Sequence, residues 1–135
     1  VRPEIPGYGF AAFYDASVSA GQIVDRWDYD LSCEAYLGDG FPSVWPNFGP
    51  GVVAAFLGGE LQADRDSGTV WFHPPEDRAI ADIRFEYEPD NEWLNRIRDI
   101  CRVGMDRWQG LVQVGMTDLG GNLDILSSFR PGEEL

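Results

Sequence analysis

The sequence predicts an α/β protein whose neighbouring strands run parallel. Two observations carry this. The chain passes twice through helix, strand, glycine-bearing loop and helix, and parallel neighbours need crossover helices of that kind. Its clearest strand, Leu111 to Met116, is also mostly apolar, as strands covered on both faces are. With 44% apolar and 13% aromatic residues in 135, there is enough material for one core, and residues 1–135 read as a single domain.

Residues 1–16 form an extended entry segment, because two prolines and two glycines break up any periodicity, while Tyr8, Phe10, Phe13 and Tyr14 supply rings that must dock on something. From Ser17 to Leu37, Ala20, Ile23, Val24, Trp27, Leu31 and Ala35 fall near helical spacing behind Ser17 or Ser19 as a cap. Gly38-Asp39-Gly40 ends that helix, and Phe41 to Trp45 is a short strand. Pro50 to Gly58 makes a short buried helix with Gly58-Gly59 as its terminator. After a turn at Asp64 to Gly68, Thr69 to Phe72 is a β-branched and aromatic strand stopped by Pro74 and Pro75. Residues 76–89 are acidic and irregular.

A second amphipathic helix starts at the cap Asp90. It places Trp93, Leu94, Ile97, Ile100, Cys101, Gly104, Met105 and Trp108 on one face and ends at Gly110. The strand at Leu111 leads through TDLGGN into a helix from Leu123 to Phe129. Pro131 to Leu135, with its acids, resembles the first turn of a further helix, so the chain is expected to be part of a larger barrel-like whole.

Composition excludes several functions. Ten arginines, no lysine and 23 acids give a net charge of −13, which repels nucleic acid rather than releasing its counterions. No apolar run approaches the roughly 20 residues of a bilayer span, and a cytoplasmic location without membrane attachment is expected. Cys33 and Cys101 show neither redox nor zinc spacing; both read as buried thiols, with a disulfide between them left open. The lone His73 beside prolines reads as a surface or packing residue, so no metal site is expected.

Ligands of parallel α/β folds sit beyond the C-terminal ends of the strands. Two loops meet that condition. In Trp45-Pro46-Asn47-Phe48-Gly49-Pro50-Gly51, prolines fix the backbone and glycines allow close approach, so that Trp45, Asn47 and Phe48 face a cavity. In Gly115-Met116-Thr117-Asp118-Leu119-Gly120-Gly121-Asn122, the glycines present N–H groups at a helix start. The substrate-binding set is therefore Trp45, Asn47, Phe48, Gly115, Thr117, Gly120, Gly121 and Asn122, with Asp118 the candidate acid or base, or else a helix cap. Trp27, Trp93 and Trp108 read as core, whereas Trp45 and Trp71 either pack or line a pocket.

FPSVWPNFGPGVVAAFLGG at 41–59, TVWFHP at 69–74 and LVQVGMTDLGGNLDILSSFRP at 111–131 together resemble the uroporphyrinogen decarboxylase superfamily, in particular a bacterial branch carrying NFGPG and TDLGG motifs. The resemblance covers residues 15–135 and implies the N-terminal part of a (β/α)8 TIM barrel. It also implies an open cleft for an anionic, tetrapyrrole-like or corrinoid-like small molecule. Relatives are lyases that decarboxylate without a cofactor, or zinc-dependent methyltransferases whose ligands lie in a C-terminal half. No cofactor is expected for this chain, and its expected partners are the small-molecule substrate and either a second copy or a complementing C-terminal half. The decarboxylases' Phe-Ser-Asp stretch is replaced here by Asn47, Phe48 and Gly49, their Arg-containing N-terminal motif is missing, and Asp118 is an acid they lack. Against catalysis stands a rival from another class, a module that stacks a planar or sugar ligand on Trp45, Trp71 and Phe48 without turnover.

Overall fold

The computed structural model describes residues 1–76 and 79–130, so Pro131 to Leu135, where a further helix is expected, lies outside them. The fold is mixed α/β, with four helices, one parallel and one antiparallel pair of strands, and no closed barrel among the described residues. The chain gathers into two compact units, one made of residues 1–47 and 96–117, the other of 48–95 and residues from Asp118 on. No described helix is long and apolar enough to cross a membrane.

In the first unit, helix α1 spans Ala20–Ser32. Ser19 is its cap: the Ser19 hydroxyl accepts from the Gln22 N–H, while the Gln22 amide oxygen accepts from the Ser19 N–H at 2.9 Å, a reciprocal box. Ile23 and Val24 are fully buried, as the periodicity predicts. The helix stops well short of Leu37, because every residue from Ser32 to Phe41 is exposed and no burial offsets the cost of ordering another turn. Cys33 is consequently exposed rather than buried; Cys101 is partly buried, its thiol pKa raised by desolvation, and both are free.

The aromatic entry segment docks as expected, through a single 3-10 turn at Ala11–Phe13 and edge-to-face contacts of Tyr8 with Phe13 and Tyr14. It also covers a charged residue. Arg26 is only 9% exposed; its guanidinium makes a fork-like pair with Asp30, one turn on, at 2.9 and 2.5 Å, and Gly7 lies against it with no side chain in the way.

Helix α3 spans Glu92–Trp108, and its part from Arg96 onward belongs to this unit. Arg96 donates to the carbonyls of Asp15 and Val18, both at 3.0 Å, tying α3 to the lead-in of α1. Trp108 is buried with its indole N–H on Asp28 at 2.7 Å, and Gly104, one turn back, is small because a Cβ there would lie 2.8 Å from that indole. Strands β1 (Ser43–Val44) and β4 (Gln113–Val114) pair in parallel, Ser43 with Gln113 and Val44 with Val114, as the alternation predicts.

In the second unit, helix α2 (Val52–Phe56) ends at Gly58, whose φ of +93° suits a terminator without a Cβ. Strands β2 (Glu60–Asp64) and β3 (Thr69–His73) form an antiparallel hairpin. This departs from an all-parallel expectation: β2 reads as no strand because Glu-Leu-Gln-Ala-Asp lacks β-branched and aromatic residues, and its pairing with β3 supplies what propensity does not. The turn is fastened by Asp64, whose carboxylate accepts from the N–H groups of Asp66 and Ser67 and from the Ser67 hydroxyl at 2.5 Å. One hairpin face packs inward through the buried Val70 and the half-buried Phe72, whose ring lies over Gly49 and Gly51.

Helix α3 begins in this unit, capped by Asn91 rather than Asp90. Asn91 Oδ1 accepts from the N–H groups of Trp93 and Leu94, and its amide donates to Ala55 at 3.0 Å, so one side chain both starts the helix and holds α2. Helix α4 (Asn122–Phe129) matches the sequence expectation to one residue, and Phe129 packs on Phe85 with ring centroids 5.0 Å apart.

Phe48 is 0% exposed and meets Trp93 edge-on at 6.2 Å. Phe48→Ala should therefore cost about 3–5 kcal/mol in denaturant unfolding, and a loss below about 1 kcal/mol would show that the ring is not in the core. The hydrogen bonds from Ser67 and Asp66 hold the Asp64 pKa below its ordinary value of 3.8. A depressed carboxylate pKa stabilises the fold above the unfolded value and ceases to as pH falls through the folded one. The hairpin should thus keep its amide protection through pH 4 and lose it only in stronger acid; an NMR titration placing Asp64 at or above 3.8 would contradict this.

Candidate functional site

The C-terminal exits of β1 and β4 lie side by side in the first unit. Three hydrogen bonds at two-residue spacing build this rim: Gln113 N–H to Pro42 O at 3.0 Å, Gly115 N–H to Val44 O at 2.7 Å, and Thr117 Oγ1 to Pro46 O at 2.8 Å. The third is a side chain continuing a backbone ladder. Pro42 and Pro46 lack an N–H but serve here only as acceptors, so the prolines bound the strand without breaking the pair.

The rim has one open aromatic surface. Trp45 is 44% exposed, and its neighbour across the pair is Gly115, where a Cβ would stand 3.2 Å from that of Trp45. With no side chain at 115, nothing from that position covers the indole. Asn47 is half-buried; its side-chain amide donates to Gly9 O at 3.1 Å and its backbone carbonyl accepts from the Ala11 N–H at 2.6 Å, so it clamps the entry segment to the loop. Thr117 is buried and structural in its visible contacts.

The remaining predicted residues belong to the second unit. Phe48 is a correction: it turns into the core, because an aromatic ring without polar atoms gains more from Trp93 than from a wet cavity. The backbone donors assigned to Gly120 and Gly121 are also already engaged. Asp118 accepts from the Gly120 N–H at 2.8 Å, and Asp124 accepts from the Gly121 N–H at 3.1 Å. Asp118 thus closes a local turn instead of capping α4, and Asp124 holds the helix start. An anionic group arriving here would meet two carboxylates in place of free N–H groups. Gly120 has φ +63°, and a Cβ on it would collide with the Pro50 carbonyl, which explains the glycine structurally. Asn122 is the exposed first residue of α4.

Among the described residues no three His, Cys, Asp or Glu side chains come together as a metal-holding group. Sequence reasoning missed the roles of Asp124 and Asn91. The signal for Asp124 was present, an acid in the first turn after Gly-Gly, but the preceding Asp118 drew the assignment.

Thr117→Val keeps the shape of the side chain and removes its donor, leaving the Pro46 carbonyl without that partner. It should lower unfolding stability by about 1–3 kcal/mol, whereas Thr117→Ser should recover most of the loss. Equal stability of Val and Ser variants would show that the third rung is idle. Comparison with protein-family models, curated proteins and solved structures gave no match for this chain.

Proposed function

We propose that this chain is a uroporphyrinogen decarboxylase-like α/β protein that binds a flat, ring-shaped small molecule, of tetrapyrrole or corrinoid type, at the exits of β1 and β4. The observation that carries the proposal is the exposed face of Trp45 beside the side-chain-free Gly115, at the end of a parallel strand pair. Ligand sites of parallel α/β proteins collect at that end of the strands. A large planar ring gains stacking energy on an indole without needing a particular hydrogen-bond pattern.

Chemistry beyond binding is the finer part of the proposal. The superfamily's decarboxylase and methyltransferase activities both act on ring-shaped or ring-borne substrates, and Asp118 remains the acid nominated by position. Its carboxylate lies in the second unit and accepts from the Gly120 N–H, so the binding reading at the β1–β4 exit does not depend on it. The rival reading, a sugar-stacking module without turnover, rests on the same exposed Trp45 and differs in the ligand preferred.

Titration with a soluble porphyrin, a corrinoid and a neutral oligosaccharide, followed by tryptophan fluorescence, tests both. The expected result is quenching by one of the two macrocycles, with affinity about tenfold weaker in Trp45→Ala, the change that corresponds to losing one aromatic stack. Response to the oligosaccharide alone would favour the rival, and affinity unchanged by Trp45→Ala would remove the rim from either reading.

A further inference from the structure

Strand β3 and helix α4 border a cleft of about 520 Å3 within the second unit. One wall is the unbroken run Thr69 to Pro74, and the facing wall includes Pro50 and, from α4, Asp124 and Ser127. With α4 standing across from the strand, the space has the size of a small-molecule site and is too confined for a further element of chain.

Both walls carry polar groups with spare capacity. Successive strand residues project to opposite faces, so a wall built from every residue in turn is the strand's backbone edge. β3 pairs only with β2, and among the described residues no other backbone hydrogen bond reaches Thr69–His73, so this edge offers both N–H donors and C=O acceptors. On α4, the Ser127 hydroxyl donates to the Asp124 carbonyl at 2.8 Å, which commits its proton and leaves its lone pairs as acceptors. The Asp124 carboxylate takes the Gly121 N–H with one oxygen at 3.1 Å, and its other oxygen has no partner among the described residues.

Charge and hydrogen-bonding type narrow the ligand. Asp124 is the one carboxylate among the lining residues and no arginine joins it, so a phosphate or carboxylate would be repelled. An ammonium group suits Asp124 but only donates, and the N–H groups of the strand edge would lose water without gaining an acceptor. A hydroxyl both donates and accepts, so a compound bearing several of them matches the edge, Ser127 and Asp124 together. Trp71 also lines the cleft and stays 57% exposed, which supplies the aromatic face on which the C–H side of a sugar ring packs.

We propose that this cleft binds a small neutral saccharide, a mono- or disaccharide, with Trp71 against the apolar face of a sugar ring and Asp124 accepting from its hydroxyls. The platform of Trp45, Trp71 and Phe48 expected from the sequence is a different surface, because Phe48 lies in the core and Trp45 belongs to the first unit. The cleft lies wholly in the second unit and does not rest on the ring-binding proposal above.

An amide-resolved NMR titration of the full chain with glucose, N-acetylglucosamine and cellobiose tests it, with propylammonium and methyl phosphate as charged comparisons. The expected result is that at least one sugar shifts the amides of Thr69–His73 and of Asp124 to Ser127 with a Kd of about 1 mM or tighter, and that Trp71→Ala and Asp124→Asn each weaken it about tenfold. Asn keeps an acceptor oxygen for the Gly121 N–H, and unshifted amides in the first unit check that each variant folds. No shift with any of the sugars would overturn the proposal, as would a stronger response to either charged compound. Shifts confined to the surroundings of Trp45 would overturn it too, by placing the sugar at the strand exits instead. Because the map is read residue by residue, failure at the cleft leaves the macrocycle titration at Trp45 to be judged separately.

Discussion

The parallel pairing of β1 with β4 is the constraint on which the first unit depends. It joins segments separated by most of the chain's second unit and rests on two residue pairs, so the loop-closure cost is large and the ladder short. Thr117 lengthens the ladder by a third rung without requiring a longer strand, its hydroxyl donating to the Pro46 carbonyl. Arg96 and Trp108 bind α3 to α1 and its lead-in through specific polar contacts.

Polar groups fasten this protein at places where apolar burial is thin. Asn91 starts α3 and grips Ala55, Asp64 closes the hairpin turn, and Asp118 and Asp124 take up consecutive N–H groups before α4. In a chain with 23 acids and no lysine, these carboxylates serve as backbone acceptors in local turns, while others, such as Asp30 with Arg26, form ion pairs. The N–H groups of Gly120 and Gly121 are thereby occupied within the chain by Asp118 and Asp124.

The proposed ring site follows from an aromatic residue set beside missing protection: at Trp45 the missing group is a side chain at Gly115. It lies at the exit of a parallel pair with no acid in its three-rung ladder.

By itself the sequence determined the helices, through the period of their apolar residues and through Ser19, Gly58 and Gly110, and it determined the parallel relation of the two main strands through their alternation with helices. It determined equally the net charge of −13 and the absence of lysine. Tertiary structure decided the rest. Whether α1 reached Leu37, whether Arg26 and Cys33 were inside or out, and whether Phe48 faced a ligand or the core all depended on which distant residues came to lie against them. So did the strand β2, which has little propensity of its own and exists because β3 offers it a partner. Local periodicity records which face of an element is apolar, but burial is a relation between elements, and no stretch of sequence contains the neighbour that completes it.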